Sequence, residues 1–199
     1  MRRNIVLGII GLILGLGLVA VMFLMRPYQM RGSVIEQDYA APDFALADAQ
    51  ASIFQLSDQR GKLVMIFFGY TYCPDVCPTT LSELKQVRKR LGSRADDVQV
   101  VFISVDPERD TPEQTANYAA RFDPTFKGLS GSEAALDPVW KAYGVYHKTN
   151  KASPDDKYYE VEHSGQVYVI DKAGNLRVTY AFGTPVDDIL QDAKYLLKQ

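Results

Sequence analysis

Cysteine and histidine are scarce in this chain, which has two of each among its 199 residues. Two cysteines cannot build the disulfide framework of a small secreted fold, so that class is excluded. Basic charge is not in excess either, because 22 lysines and arginines stand beside 24 aspartates and glutamates. This balance gives no reason to expect nucleic-acid binding. Hydrophobic residues make up 47% and charged residues 23%, which excludes a mainly disordered or fibrous protein.

Charged side chains are absent from residues 5–25, which read IVLGIIGLILGLGLVAVMFLM. This apolar segment is long enough to cross a hydrocarbon core of about 30 Å. A cleaved signal peptide is the competing interpretation, but its apolar region is usually shorter and ends in a small-x-small site. This segment ends in FLMR, residues 23–26, without such a site. We therefore predict an uncleaved N-terminal transmembrane helix within residues 1–26.

Basic residues flank the predicted helix on both sides, with Arg2 and Arg3 before it and Arg26 and Arg31 after it. The positive-inside rule favours a cytoplasmic N-terminus, which is also usual for a short N-terminal anchor. No Arg- and Ser-rich transit segment precedes the helix, which favours a bacterial setting over a mitochondrial one. We expect a single-pass protein of a bacterial inner membrane with its globular domain in the oxidising periplasm.

The remaining chain is expected to form a linker, residues 27–38, and one domain, residues 39–199. The continuous apolar run Lys62–Gly69 is typical of a strand buried on both faces, and Val98–Val105 is expected to be a second buried strand. Apolar spacing and capping residues predict four helices, over Pro78–Leu91, from Thr111 to Phe122, over Ser132–Tyr143 and from Thr184 to Leu197. A hairpin is predicted from Gln166–Ile170 and Leu176–Phe182, which flank DKAGN, and residues 144–163 are expected to be a polar excursion with some strand. The alternation predicts an α/β fold, a mixed sheet flanked by helices in a thioredoxin-like domain.

Both cysteines stand in the segment GYTYCPDVCP, residues 69–78, between the first strand and the first helix. Four positions separate Cys73 from Cys77, so both sulfurs lie on one side of a helical turn. The N-terminus of a helix lowers the pKa of a nearby thiol, and thiolates both bind metals and attack disulfides. Cys73 and Cys77 are therefore two metal ligands or a redox pair. Thioredoxin-type enzymes have two intervening residues, and the three found in this chain favour metal binding.

His163 lies just before the predicted strand Gln166–Ile170. In a thioredoxin-like arrangement this position faces the cysteine loop, and oxidoreductases usually place a cis-proline there. The sequence His163-Ser164-Gly165 has no proline, which favours a third metal ligand. The other histidine, His147, stands in a charged stretch and is expected on the surface. Two thiolates and one imidazole suit copper, although zinc fits the same ligand set.

Two aspartates follow the second strand. Asp106 lies at the carboxyl end of the sheet, where the sites of α/β proteins gather. It either supports a ligand or contacts a partner, or it forms a turn with Pro107. For Asp110 we expect a turn, because Thr111-Pro112 begins the next helix.

In three motifs the sequence resembles the SCO/SenC copper proteins of cytochrome oxidase assembly. These motifs are GYTYCPDVCP (69–78), SVDPERDTP (104–112) and His163-Ser164 before an apolar strand. The resemblance covers residues 40–197. It implies a thioredoxin-like fold, one copper ion bound by Cys73, Cys77 and His163, and a role in building the CuA centre of cytochrome c oxidase subunit II. A periplasmic copper donor and a thiol reductant are the other partners that this role implies.

The leading hypothesis is a copper-binding assembly factor rather than an enzyme. The alternative is a membrane-anchored thiol–disulfide oxidoreductase that reduces the cysteines of oxidase subunit II, because some family members are regarded as thiol reductases. A peroxiredoxin-like peroxidase is a third possibility, suggested by Thr71-x-Cys73, but it leaves the set of two cysteines and one histidine unexplained. Metal binding requires His163 and dithiol exchange does not, so this residue discriminates between the first two.

Overall fold

The computed structural model describes residues 11, 12, 14–18, 22, 28–35, 39–153 and 155–199. Among these residues, no helix is long and apolar enough to cross a membrane. Most of the predicted transmembrane helix, residues 5–25, lies outside the described residues.

Residues 11, 12, 14–18 and 22 are helical. Residues 28–35, 39–153 and 155–199 contain ten strands and four α-helices. The strands are β1 (Ser33–Val34), β2 (Ala45–Ala47), β3 (Ile53–Gln55), β4 (Leu63–Gly69), β5 (Val98–Ser104), β6 (Lys127–Leu129), β7 (His147–Asn150), β8 (Glu160–His163), β9 (Val167–Ile170) and β10 (Leu176–Tyr180). The helices are α1 (Val76–Arg90), α2 (Pro112–Ala120), α3 (Glu133–Ala142) and α4 (Val186–Leu197). Short 3₁₀ helices cover Leu56–Gln59 and Gly92–Asp97.

In the described part of the chain, six strands form one mixed sheet in the order β1-β10-β9-β4-β5-β6. β4, β5 and β6 run parallel, whereas β9 is antiparallel to both β4 and β10. Every residue of β4 and β5 is buried, which explains why β4 is a continuous apolar run and why β5 is apolar except at Gln99 and Ser104. The predicted α/β fold with a mixed central sheet is confirmed.

The caps of the first three helices agree with the sequence. Gly92 follows α1 with a positive φ of 59°, a conformation that glycine adopts without a steric penalty. Thr111 caps α2 in a reciprocal capping box with Gln114, and Pro112 occupies the first turn. Ser132 accepts a hydrogen bond from the backbone N–H of Ala135 and so caps α3.

Two details differ from the predictions. The short strand β6 was not predicted, because Lys127-Gly128-Leu129 is too short to show a periodic pattern. At α4 the N-cap is Pro185, and the Thr184 hydroxyl donates to the carbonyl oxygen of Ala181 instead of capping the helix. The expected polar excursion with some strand, residues 144–163, does contain strands: β7 and β8 form a two-stranded sheet that is separate from the central sheet.

Candidate metal centre

The two cysteines lie where the central strand β4 passes into helix α1. Cys77 is in the first turn of α1 and is fully buried, whereas Cys73 is half-buried in the preceding loop. The backbone N–H of Cys77 donates to Cys73 Sγ at 3.3 Å. Because the first N–H groups of a helix have no partner within the helix, the Cys73 sulfur satisfies one of them. The helix N-terminus thus stabilises negative charge on Cys73.

Gly69, the last residue of β4, allows Cys77 to pack against the end of the strand. A Cβ atom at this position would lie 2.6 Å from Cys77 Sγ and 2.8 Å from the ring of Phe102. Both distances are shorter than van der Waals contact, so a larger residue would displace the thiol.

His163 is the last residue of β8 and faces the sulfurs. Its Nε2 atom lies 3.5 Å from Cys77 Sγ, and its Nδ1 atom lies 3.1 Å from the carbonyl oxygen of Ser164. A carbonyl oxygen only accepts, so this contact places the proton of the neutral ring on Nδ1 and leaves the Nε2 lone pair toward the sulfurs. The ring of Tyr70 meets the imidazole edge-on, with centroids 5.7 Å apart, and fixes its plane.

The three predicted ligands come together in the structure. The sulfurs of Cys73 and Cys77 and a nitrogen of His163 lie within 4.8 Å of one another. A metal bonded at about 2.3 Å to sulfur and about 2.0 Å to nitrogen holds its ligands less than about 4.5 Å apart. The donor set therefore fits a soft metal after a small closing movement. A cleft of about 380 Å³ opens over the ligands and leaves a further coordination position accessible; Tyr70, Pro74, Val76 and Phe182 line it.

The two thiols differ in acidity. The side-chain hydrogen bond from the Cys77 thiol lowers the pKa of Cys73 to about 4, despite partial burial. Burial raises the pKa of Cys77 well above its usual range, and the neighbouring Cys73 sulfur adds to this shift. The metal-free site therefore holds Cys73 as thiolate and Cys77 as thiol at neutral pH. A metal that binds both sulfurs must release the Cys77 proton.

Asp110, expected only in a turn, supports the cysteine loop. Its fully buried carboxylate accepts from the Thr71 backbone N–H at 3.0 Å, the Thr71 hydroxyl at 2.5 Å and the Ser104 hydroxyl at 2.8 Å. Burial raises the pKa of Asp110. Its backbone N–H also donates to the Asp106 carbonyl oxygen, so the turn prediction is correct but incomplete. No local spacing relates Thr71 to Asp110, and only the parallel pairing of β4 with β5 brings them together.

Asp106 is buried, but its hydrogen bonds do not go to the three ligand residues. Its carboxylate accepts from Arg109 Nε at 2.5 Å and from the Tyr159 hydroxyl at 2.7 Å. Asp106 therefore reaches the site only through its neighbours. The sequence did not identify Arg109 or Tyr159, because an arginine in a turn and a tyrosine in a polar segment carry no distinctive signal.

His147 is half-buried, which corrects the expectation of a surface residue. β7 and β8 place it directly opposite His163, and its ring packs on Trp140 with centroids 4.2 Å apart. The charged residues that follow it in the chain hid this contact, because the alternation of β7 turns His147 inward and Lys148 outward.

The fold and the site together define a class of protein. Two thiols at the first strand-to-helix junction and an imidazole facing them, on a thioredoxin-like sheet, form a site for soft metals or disulfide chemistry.

Within that class, the chain belongs to the SCO1/SenC family, whose model matches residues 33–198. The SCO2-like protein of Rickettsia felis is 30% identical over 201 residues, 98% of each chain. The structure of Bradyrhizobium japonicum ScoI with copper bound is 38% identical, covers 79% of this chain and 99% of its own, and gives a TM-score of 0.71. The solution structures of apo Sco1 from Thermus thermophilus are 36% identical in sequence. They cover 85% of this chain and 98% of their own, and give a TM-score of 0.77. The family predicted from the three motifs is confirmed.

Proposed function

We propose that this protein is a copper-binding assembly factor that carries one copper ion on Cys73, Cys77 and His163. The observation that carries the proposal is the convergence of two sulfurs and one imidazole nitrogen within 4.8 Å. Thiolates select Cu(I), and Cu(II) binds nitrogen and sulfur donors more tightly than most divalent ions do. The copper in the structure of the Bradyrhizobium japonicum relative supports copper over zinc.

The copper is cargo, and its recipient in this proposal is the CuA centre of cytochrome c oxidase subunit II. The cleft above the ligands supports transfer, because an incoming ligand can approach the metal without unfolding the site. A periplasmic copper donor loads the site, and a thiol reductant keeps both cysteines reduced. The role in oxidase assembly rests on membership of the SCO1/SenC family.

A copper titration of the reduced full-length chain in detergent micelles tests the ligand set. Wild type is expected to bind one copper ion, and oxidation of the cysteines to a disulfide should abolish tight binding because a disulfide supplies no thiolate. His163→Ala should weaken binding by more than about 100-fold, beyond the usual effect of a residue that only supports a ligand. His147→Phe is the matched control, since it removes the other imidazole and keeps a ring against Trp140. Equal affinity in reduced and oxidised protein would refute the site.

The second candidate function is a thiol–disulfide oxidoreductase acting on oxidase subunit II, and the low pKa of Cys73 favours it. The Cys73 thiolate would attack the target disulfide and form a mixed disulfide. Cys77, once deprotonated, would then attack Cys73 and release the reduced target. Two electrons pass to the target, and a periplasmic reductant restores the Cys73–Cys77 pair.

Genetics separates the two candidates, because only metal binding uses His163. A His163→Ala strain should lose oxidase activity at low copper and regain much of it when copper is supplied, while its cysteines still cycle between thiol and disulfide. Full activity of that strain at low copper, with activity lost only in Cys73 or Cys77 variants, would favour the reductase.

We also propose that residues 5–25 anchor the protein in a bacterial inner membrane with the domain in the periplasm. The uncharged apolar length of this segment supports the anchor. Protease added to spheroplasts should degrade the domain, and washing should not release it from the membrane. Release of a product that begins beyond Arg26 would identify a cleaved signal instead.

A further inference from the structure

A closed set of contacts lies between the end of β5 and the strand that carries His163. Its centre is the guanidinium of Arg109, which donates from Nε to Asp106 Oδ2 at 2.5 Å and from Nη1 to the Tyr159 carbonyl oxygen at 2.8 Å. The Tyr159 hydroxyl completes the set by donating to Asp106 Oδ1 at 2.7 Å. These three residues, the Arg109 clamp, tie the start of β8 to the turn after β5.

The clamp also borders the cysteine loop through aromatic rings. The Arg109 guanidinium lies 3.4 Å from the ring centre of Tyr159, 5.0 Å from that of Tyr72 and 5.7 Å from that of Tyr70. A cation over the face of an aromatic ring is attracted by it, most strongly where water is excluded. Tyr70 in turn packs against the imidazole of His163. Arg109 and His163 therefore contact the same ring from the cysteine loop.

The strand β8 needs such an attachment. In the described part of the chain, β8 pairs only with β7, and these two strands form a sheet separate from the one that carries the cysteine loop. His163 lies four residues after Tyr159, which is about 13 Å along an extended strand. On its C-terminal side His163 is tied to the central sheet by β9, which begins at Val167 beside β4. On its N-terminal side, the place of β8 relative to the sulfurs depends on side-chain contacts such as the clamp.

We propose that Arg109 is a positioning residue that holds the β7–β8 hairpin, and with it His163 Nε2, beside Cys73 and Cys77. The planar guanidinium donates to a carboxylate and a carbonyl at once while its face stacks on a ring, which the ammonium of lysine does not reproduce. The consequence for copper rests on the proposed function. The position of the imidazole is a property of the metal-free protein and is tested separately.

The first test uses the full-length chain in micelles. Arg109→Ala should lower copper affinity by about 10- to 100-fold, the range for loss of a group that orients a ligand. Pulsed EPR of the Cu(II) form should lose the imidazole nitrogen signal, while the absorption from sulfur to copper charge transfer remains. Arg109→Lys should not restore the nitrogen signal.

Arg88→Ala is the matched control. The Arg88 side chain is 13% exposed against 12% for Arg109, and it also pairs with aspartates, at Asp96 and Asp123. It should cost stability without changing the copper signals. If Arg109→Ala loses as much stability as Arg88→Ala but keeps wild-type affinity and the nitrogen signal, Arg109 is merely structural and the proposal is wrong.

Two further measurements test the proposal even if Arg109→Ala does not fold or if the wild-type chain does not bind copper. Tyr159→Phe removes only the hydroxyl, which donates to Asp106 Oδ1 at 2.7 Å and lies 3.4 Å from Glu108 Oε2. It should weaken copper binding in the same direction by a smaller factor; an unchanged affinity contradicts the clamp. In metal-free protein, the nuclear Overhauser effect between the His163 and Tyr70 rings should weaken in Arg109→Ala. Its persistence would overturn the positioning role whether or not wild type binds copper, whereas absent copper binding refutes only the proposed function.

Discussion

At the scale of single residues, the site assigns opposite roles to two chemically identical thiols. Cys73 accepts hydrogen bonds from the thiol and from the backbone N–H of Cys77, and both stabilise its thiolate. Cys77 is enclosed by β4 and α1, where burial disfavours charge. Position in the fold therefore decides which sulfur is reactive without a metal.

Alkylation of the metal-free, reduced protein measures this difference. Because the pKa of Cys73 is lowered to about 4, its thiolate fraction stays nearly constant at neutral pH and falls only as the pH drops toward 4. Iodoacetamide should therefore modify Cys73 at a nearly constant rate between about pH 6 and pH 8, while buried Cys77 stays unmodified. Cys77→Ala removes the main stabilising hydrogen bond and should move the midpoint upward. A wild-type midpoint near the ordinary thiol value of about 8.5 would contradict the assignment.

The Asp110 carboxylate links the cysteine loop to the end of β5, and Asp110→Ala should release that loop. The Thr71 N–H would lose its partner in a buried place, which costs about 1–3 kcal/mol of unfolding free energy. Copper affinity should fall as well, because Thr71 lies only two residues before Cys73. Asp192→Ala is the control, since Asp192 is equally buried but lies on α4 and holds a different segment. Equal copper affinity in the two variants would show that Asp110 supports only stability; urea unfolding and copper titration provide both values.

At the scale of elements, the junction of β4 and α1 builds half of the site. The strand ends in a glycine, the loop turns back toward the sheet, and the helix begins with Cys77 in its first turn. The other half arrives on β8, which is outside the central sheet. The candidate metal centre is thus shared between the β4–α1 junction and a separate β7–β8 hairpin.

Gly69→Ala tests the close approach at this junction. The added Cβ would lie 2.6 Å from Cys77 Sγ, so the thiol or the strand must move. We expect a loss of about 1–3 kcal/mol in unfolding free energy, typical of an overpacked core, together with weaker copper binding. Gly131→Ala is the control, because a Cβ there meets nothing closer than 3.6 Å. Thermal unfolding and copper titration of the two variants should differ; matching results would remove the special role of Gly69.

At the scale of the whole molecule, the segment before the domain is docked onto it. The Asp192 carboxylate accepts from the Tyr28 hydroxyl at 2.6 Å, the Arg31 backbone N–H at 2.8 Å and the Tyr180 hydroxyl at 3.0 Å. Tyr28 also stacks on Tyr195, with ring centres 4.2 Å apart. A fully buried carboxylate on α4 therefore fastens residues that the sequence predicts to be a linker.

Asp192→Ala should release this segment. The substitution removes the partner of the Arg31 backbone N–H. The Arg31 side chain keeps its exposed pairing with Asp188. Trypsin should then cleave after Arg31 faster than in wild type, which mass spectrometry of the products measures. Asp110→Ala serves as the control for general destabilisation, and faster cleavage at Arg31 in both variants would argue against a specific fastening by Asp192.

Much of the secondary structure and the cysteine motif could be predicted from the sequence, because these features depend on residues close together in the chain. The runs at β4 and β5, the caps at Thr111 and Ser132 and the four-residue cysteine spacing depend on neighbours in the chain. Burial on both faces requires continuous apolar residues, and a helix start requires a capping side chain, so each leaves a pattern. The candidate ligands also carry local signals: the two cysteines stand in one short motif, and His163 stands just before an apolar strand.

The tertiary structure alone decided the contacts between segments that lie far apart in the chain. Asp110 supports Thr71 from 39 positions away, and Arg109 reaches Tyr159 from 50 positions away. The inward face of His147 follows from its pairing with β8, although its neighbours in the chain are charged. A hydrogen bond or a stacked ring depends on where the sheet brings two segments together. The sequence by itself therefore indicated the three candidate ligands and the strand-to-helix junction of the cysteines, whereas only the packed fold shows the strand β8 that carries His163 and the residues that contact the site.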